Sequence, residues 1–409
     1  MTQVRRPPST WREIPGGIWA LGLVSLFMDI SSEMIHALLP LYLVGVFGAS
    51  TLTVGFIEGT AEATAAITKV FSGAISDYLG NRKWLTALGY GLSAATKPIF
   101  PLATSIAAVT AARFIDRLGK GIRDAPRDAL VADLTPKRVR GSAYGLRQSL
   151  DAFGAVVGPL LAIVFMAAFA DNFRQVFWVA VVPAFISLVI MVFGVREPKR
   201  DVQAHKVQNP FSRAELVRLP RSFWLVIGVA AVFTLARFSD AFLVLRAQAA
   251  GMPLAIVPAV MIVMNLAFTA SSWPAGMLSD QIGRYALLVA GFTLLVGADL
   301  LLAFGESISV VMFSVALWGL HMGLTQGLLA AMVADAAPAE LRGTAFGLLN
   351  LVSGLALFAA SIIAGGLWQE LGPRGTFLAG AGFSALALAL LSIARHWVGQ
   401  ASEVALPRA

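Results

Sequence analysis

Two short polar stretches of this chain return at almost one fixed displacement, and that repetition constrains its fold more than any other feature. Gly73-x-x-x-Asp77-x-x-Gly80, the head of a break that continues through Arg82 and Lys83, comes back as Gly276-x-x-x-Asp280-x-x-Gly283 with Arg284 after it, a shift of 203 residues. Val131-Ala-Asp133-x-x-Pro136-x-x-x-Arg140-Gly141-x-Ala143-x-Gly145 comes back as Val333-Ala-Asp335-x-x-Pro338-x-x-x-Arg342-Gly343-x-Ala345-x-Gly347, a shift of 202. Two echoes at nearly one shift make the chain a duplicated half, so two similar bodies are expected in tandem.

Outside these breaks the chain is apolar. Hydrophobic residues make up 57% of its 409 residues and charged ones 13%, and the mean hydropathy is +0.77. That charged share is about half the usual globular one, so the chain cannot cover its surface with polar groups and a lipid bilayer is its expected surroundings. The breaks leave about twelve runs, at 18–43, 52–76, 84–104, 105–126, 140–168, 174–195, 222–246, 253–279, 285–304, 307–335, 341–368 and 375–397. Each is close to the roughly 20 residues a spanning helix needs. The expected fold class is therefore all-α integral membrane, with two pseudo-symmetric six-helix bundles at 1–195 and 222–409 and a basic linker at 196–221. The basic N-terminus is followed by no small-residue cleavage site, so the first run reads as a retained span. Cysteine is absent, which removes disulfide and thiolate chemistry.

Basic loops resist translocation. Arg5, Arg6, Arg12, Arg82, Lys83, Lys137, Arg138, Arg140, the linker cations, Arg284, Arg342 and Arg395 fall on one side, while the opposite loops hold little beyond Arg174, Arg246 and Arg374. Both termini and the linker are expected in the cytoplasm, with the spans in a bacterial-type inner membrane. The net charge of +8 follows from this asymmetry and gives no reason to expect a nucleic-acid partner.

The two six-helix halves, the basic linker and the break Gly73-x-x-x-Asp77-x-x-Gly80-x-Arg82-Lys83, with its weaker copy at 276–284, resemble the major facilitator superfamily over nearly the whole chain. Elementary physics agrees with the motif. Gly73 permits close helix approach, Asp77 can reach a helix N-terminus or a cation, and Gly80 suits a left-handed turn. The resemblance implies a gating role for Gly73, Asp77, Gly80, Arg82, Asp280, Gly283 and Arg284, not substrate contact. In the fifth span, Gly145, Gly154, Gly158 and Pro159 match most of a motif of the antiporter branches, which export drugs and metabolites against protons; Ala162 and Ile163 stand where two further glycines are usual. The second half lacks the pattern, having Ala356, Ala360 and Ser361. Small residues for tight packing beside a proline kink are the competing explanation.

Duplication supplies an internal control, because what one half alone carries is a candidate for function. In the fourth span Arg113, Asp116, Arg117, Lys120, Arg123, Asp124 and Arg127 correspond to Val315, Trp318, Gly319, Met322, Thr325, Gln326 and Leu329. In the second span Glu58, Glu62 and Lys69 correspond to Met261, Asn265 and Ser272, and Lys97 of the third to Leu300. Helical spacing puts Asp29, Glu33 and His36 on one stripe of the first span, with similar stripes on the second and fourth. A charge at mid-bilayer costs about 3 kcal/mol even on insertion scales, so these stripes are expected to face a wet interior or one another. Mutual ion pairing is the competing explanation for several of them.

The expected proton-coupling residues are Asp29, Glu33, Glu58, Glu62, Arg113 and Arg117, since burial and a neighbouring arginine move a carboxylate's proton affinity in opposite directions. Arg117-x-x-Lys120-Gly121 also resembles the family's fourth-span pattern Arg-x-x-Gln-Gly, tied to proton transfer, with Lys120 in place of glutamine. The substrate-binding candidates are His36, Lys69, Lys97, Arg147, Asp151, Arg237, Asp240, Asn265, His321 and Gln326, among Phe233, Phe238, Phe242 and Trp318. The functions to weigh are proton-coupled export of a small molecule by antiport, proton-coupled uptake of an organic anion or metal chelate, and lipid flipping. A non-transporting receptor needs no ionisable stripes. No cysteine, His-x-x-x-His pair or Gly-Lys-Ser phosphate loop is present, so neither enzyme chemistry nor a metal or cofactor is expected. The chain is expected to work as a monomer.

Overall fold

The computed structural model describes residues 14–79, 81–136, 139–196, 217–282, 284–337 and 341–403. The first bundle holds α1 Gly16–His36, α2 Leu39–Phe47, α3 Thr51–Leu79, α4 Arg82–Thr96, α5 Ile99–Leu102, α6 Ile106–Leu134, α7 Arg140–Ala168 and α8 Phe173–Val189. The second holds α9 Arg221–Ala236, α10 Ala241–Ala249, α11 Ala259–Ile282, α12 Arg284–Phe304, α13 Ile308–Ala336 and α14 Arg342–Glu403. Twelve spans result, because α1–α2, α4–α5 and α9–α10 are each one span with a break and α14 is two spans turned at Gly372, whose φ is 70°. Glycine tolerates that left-handed conformation, and Pro373 after it starts the next arm. Pro40 in the first turn of α2 and Pro98 before α5 mark two other breaks, as expected of residues without an N–H to donate.

The sequence marks the helix starts. Ser105 and Ser307, 202 residues apart, each accept from the backbone N–H three residues on at 3.3 Å, so one N-cap serves both halves. Packing repeats as well. In the first bundle α1 lies on α7, α3 on α6 and α4 on α6; in the second, by the same roles, α9 lies on α14, α11 on α13 and α12 on α13. Gly121 and Gly323, also 202 apart, sit where a Cβ would fall 2.8 Å from the carbonyl of Ala65 and 3.0 Å from that of Phe268. The fourth span of each half thus crosses the second almost backbone to backbone.

Length and hydropathy single out eight membrane-crossing segments, one of them covering both arms of α14. The spans that fail that criterion are α3, α4–α5 and α6. α3 and α6 carry Glu58, Glu62, Lys69, Arg113, Asp116 and Arg117, and α4 is a short helix ended by Lys97. Helix α6 runs to Leu134, eight residues beyond the run expected from hydropathy, because its charged last turns stay helical against α3 and α7. Most of the linker expected at 196–221 lies outside the described residues.

The few cations of the opposite loops are absorbed locally. Arg174 donates to the carbonyl of Ala103 at 3.1 Å, Arg246 Nε to that of Leu302 at 2.8 Å and Arg246 Nη2 to that of Gly305, while Arg374 lies over the Phe304 ring at 4.5 Å. Arg174 and Arg246 thereby close helix C-termini whose last carbonyls lack intrahelical donors. Removing the Arg246 side chain should therefore cost about 2 kcal/mol, read as a lower unfolding temperature for Arg246→Ala in detergent with partial recovery in Arg246→Lys.

At this same end the bundles meet. Thr51 Oγ1 donates to the carbonyl of Gly365 at 3.1 Å, and a Cβ on Gly55 would fall 2.1 Å from the carbonyl oxygen of Ser361. The α2 and α10 pieces also touch, and Asn265 of α11 donates to the carbonyl of Ala155 on α7 at 3.4 Å. Further along, α3 and α14 stay packed, a Cβ on Gly354 falling 2.7 Å from Ala66 Cβ, beside the cavities described below.

Candidate functional site

Between the bundles lies a chamber of about 270 Å³, walled by Glu33, His36, Glu62, Arg117 and Lys120 from the first half and by Arg237, Asp240, Asn265 and an apolar face of Phe238, Phe268, Trp318 and methionines from the second. It runs into a vestibule of about 430 Å³ that shares Glu62, Lys120, Arg237 and Leu357 with it and adds Lys69, Asp124, Gln326 and Asn350. The vestibule lies away from the Thr51–Gly365 seal. The first half thus contributes most of the charge and the second Arg237, Asp240 and an apolar face, so charged and apolar walls meet across one cavity.

Behind the chamber wall, in the first bundle, a continuous ion cluster joins α1, α3, α4 and α6. Arg113 Nη2 is 2.6 Å from Glu58 Oε2, and His36 bridges from Glu58 Oε2 at 3.7 Å to Glu33 Oε2 at 3.6 Å. Asp116 takes Lys97 Nζ at 3.0 Å, Arg117 Nε at 3.6 Å and Arg113 Nη1 at 3.9 Å, and Arg117 continues to Glu62 Oε1 at 3.4 Å. Lys97 also donates to Ser32 Oγ at 3.0 Å. Glu58 is 0% exposed and Arg113 2%, whereas Glu62 is 31% exposed in the chamber, so the cluster grades from dry to wet.

Local sequence explains the convergence. Glu33 and His36 sit three apart on α1, Glu58 and Glu62 four apart on α3, and Arg113, Asp116 and Arg117 within two turns of α6, so each helix presents its groups on one face. Gly154 and Gly158 of α7 bring that helix onto the same α1 face: a Cβ at Gly154 would be 3.0 Å from Asp29 Cβ, and one at Gly158 2.8 Å from Glu33 Cβ. Gly145 has nothing within 4 Å. Close packing thus accounts for two of the fifth-span glycines, at the two helix turns that carry Asp29 and Glu33.

Of the expected substrate contacts, His36, Arg237, Asp240 and Asn265 line the chamber, and Lys69 and Gln326 the vestibule. Lys97 is held inside the cluster, away from the chamber. Arg147 pairs with Asp151 four residues on, and its Nε lies 3.7 Å from Asp128. Arg127 joins the same group through Asp124 and Asp128 at 3.6 and 3.3 Å, tying α6 to α7. His321 is 0% exposed behind Trp318 and Phe233. Asp29 turns toward α7 and not into the chamber. At the polar break, Arg82 Nη1 is 3.1 Å from Asp133 Oδ2, joining the start of α4 to the end of α6, and Gly73 packs on Ala125. Gly80 and Gly283 lie outside the described residues, as do the side chains of Asp77, Asp280 and Arg284.

Two features escaped sequence reasoning. The nearest partner of Asp116 is Lys97, 19 residues away on another helix, which spacing within one helix cannot show. Asp299 of α12 is 0% exposed, with neither oxygen hydrogen-bonded among the described residues and Gly380 packed on it; a lone carboxylate inside an apolar run was a legible signal.

Two bundles of six spans, related by duplication and enclosing one chamber sealed at one end, define a membrane transporter. Residues 21–359 and 244–403 match the model of the Major Facilitator Superfamily. An uncharacterized MFS-type transporter of Methanocaldococcus jannaschii is 34% identical over 376 residues, covering 90% of this chain and 92% of that one. The inner membrane transport protein YajR of Escherichia coli is 25% identical over 389 residues, covering 91% and 82%. A solved structure of a POT family transporter shares the fold with a TM-score of 0.76 at 14% identity, over 96% of this chain and 100% of that one. The chain belongs to the Major Facilitator Superfamily and is an integral membrane transporter of a small-molecule substrate.

Proposed function

We propose that this transporter exports its substrate by exchange for protons, the bundles 1–195 and 222–409 rocking about the chamber with the vestibule facing the cytoplasm. Both termini and the 196–221 linker then lie on the cytoplasmic side of a bacterial-type inner membrane. The observation that carries the reading is the charge of the buried cluster. Four carboxylates, Glu33, Glu58, Glu62 and Asp116, share three fixed cations, Arg113, Arg117 and Lys97, and the titratable His36. One added proton makes the set neutral, and in a low-dielectric interior a neutral set is strongly favoured. Glu33, His36, Glu62 and Arg117 are chamber walls as well as cluster members, so substrate and proton act on the same charges. We assign gating to the polar break, with Arg82 and Asp133 holding it in the present state.

A second reading, uptake of an organic anion together with protons, draws on Lys69, Lys120 and Arg237, which face the chamber or vestibule with no ion pair among the described residues. Counterflow separates the two, using a ligand found by thermal-shift screening in vesicles of known orientation. Exchange predicts accumulation in inside-out vesicles with an acid lumen, lost when a protonophore is added. Accumulation in right-side-out vesicles with an acid exterior supports uptake instead. Accumulation indifferent to the protonophore in both overturns proton coupling.

A further inference from the structure

We infer that the substrate is an organic anion, a carboxylate or phosphate on a compact apolar body, whose head is shared by Lys120 of the first bundle and Arg237 of the second. This deepens the transporter reading of the chamber by naming what it holds, and it does not depend on the direction of transport.

The argument begins with what the other cations do. Arg113, Arg117 and Lys97 are each within 4 Å of a carboxylate in the cluster, Arg127 and Arg147 are paired along α6 and α7, and Arg123 donates to Ser93 Oγ at 2.6 Å while lying over the Tyr90 ring. Lys120, Lys69 and Arg237 have no ion pair among the described residues, and Arg237 Nε is buried without any acceptor. All three border the chamber or its vestibule. Asp240 sits at the same break of the seventh span as Arg237, and Glu33 and Glu62 share the chamber wall with Lys120, yet none of these carboxylates is within ion-pair distance of Lys120 or Arg237. All three are half-buried at the cavity walls, and cations that no carboxylate engages directly are free to take a ligand carrying the opposite sign.

The two groups stand on different bundles. Lys120 has Met322 as its counterpart in the second half, so the duplicated architecture does not require it. An anion between Lys120 and Arg237 bonds to both bodies at once, which is what an alternating-access substrate must do. The rest of the wall sets the body. Phe238, Phe268 and Trp318 give flat apolar surface, and Met261, Met264 and Met322 adapt to its outline. A dry cavity of about 150 Å³ holds benzene, so 270 Å³ admits a fused two-ring body with its head group.

The experiment uses the purified full chain in detergent at one pH, with four probes of one body: 2-naphthoate, 2-naphthyl phosphate, 2-naphthamide and 2-naphthylmethylammonium. An acid should bind at least about tenfold tighter than the amide and the ammonium and raise the unfolding midpoint; preference for either acid supports the inference and names the head. Lys120→Met and Arg237→Met should each weaken acid binding by about tenfold or more. They should leave the ligand-free midpoint unchanged or higher, because each removes an unpaired cation, a result that a structural ion-pair role would not give. The inference is overturned if the amide binds as well as the acids, if the ammonium binds best, or if neither variant changes acid binding. No gradient is present, so failure of proton coupling would leave this measurement intact, and failure here would leave proton coupling standing.

Discussion

Glu58→Gln is expected to reduce proton-driven accumulation in proteoliposomes to the level seen with a protonophore, while substrate exchange without a gradient continues. Glutamine keeps the shape of the side chain and one acceptor for Arg113, but it can neither carry the charge nor take up the proton. Glu58 Oε2 is the atom on which Arg113 and His36 converge, at 2.6 and 3.7 Å, so its loss divides the cluster into a Glu33–His36 pair and an Asp116-centred remainder. Stability should fall too, by about 3 kcal/mol, since Arg113 is left buried without its partner. These effects can be separated. In Glu58→Gln with Arg113→Met the stranded charge is gone, so most of the stability should return while coupling stays lost. If Glu58→Gln concentrates substrate as the parent chain does, the cluster is a structural brace and the proton binds elsewhere.

Much of this site was legible because the chain contains its own control. Subtracting the second half from the first isolated Glu58, Glu62, Arg113, Arg117 and Lys120 without any structure, and helical spacing placed Glu33 and His36 beside them. Asp29 shows the limit of spacing: it shares their stripe, yet the close approach of α7 at Gly154 takes that turn of α1 out of the chamber. The pairing of Lys97 with Asp116 joins α4 to α6 and depends on how two helices cross, which no pattern within either records. Hydropathy had the opposite weakness. Averaged over a whole window it passes over α3 and α6 because of the charges they carry, although each is 29 residues long and the breaks alone mark both as spans. The seal between the bundles was illegible for another reason, since it belongs to one of at least two arrangements of the same chain and the sequence encodes all of them together.

That seal supplies the other large expected effect. Gly55→Val should move the population away from the arrangement seen here. A Cβ at residue 55 would sit 2.1 Å from the Ser361 carbonyl oxygen and 3.0 Å from its carbon, both backbone atoms that no side-chain rotation can move aside. A valine therefore fits only if α3 and the first arm of α14 separate at this end. In a rocking pair of rigid bundles, separation here accompanies closure of the vestibule, so the substitution favours the opposite arrangement by destabilising this one. The absence of cysteine makes the readout clean. Ser353→Cys, in the vestibule wall, should react with a water-soluble maleimide in the parent background and about tenfold or more slowly when Gly55→Val is added, a factor that requires only about 1.4 kcal/mol between the two states. Gly45→Val on α2 is the control, because nothing lies within 4 Å of a Cβ there, and it should leave the rate unchanged. Gly55→Ala, with the same first clash and less bulk, should fall between. An unchanged rate in Gly55→Val would mean that the two helices part locally without moving the bundles, and the contact at Thr51 and Gly365 would then be a fixed joint and not the closed side of an alternating pore.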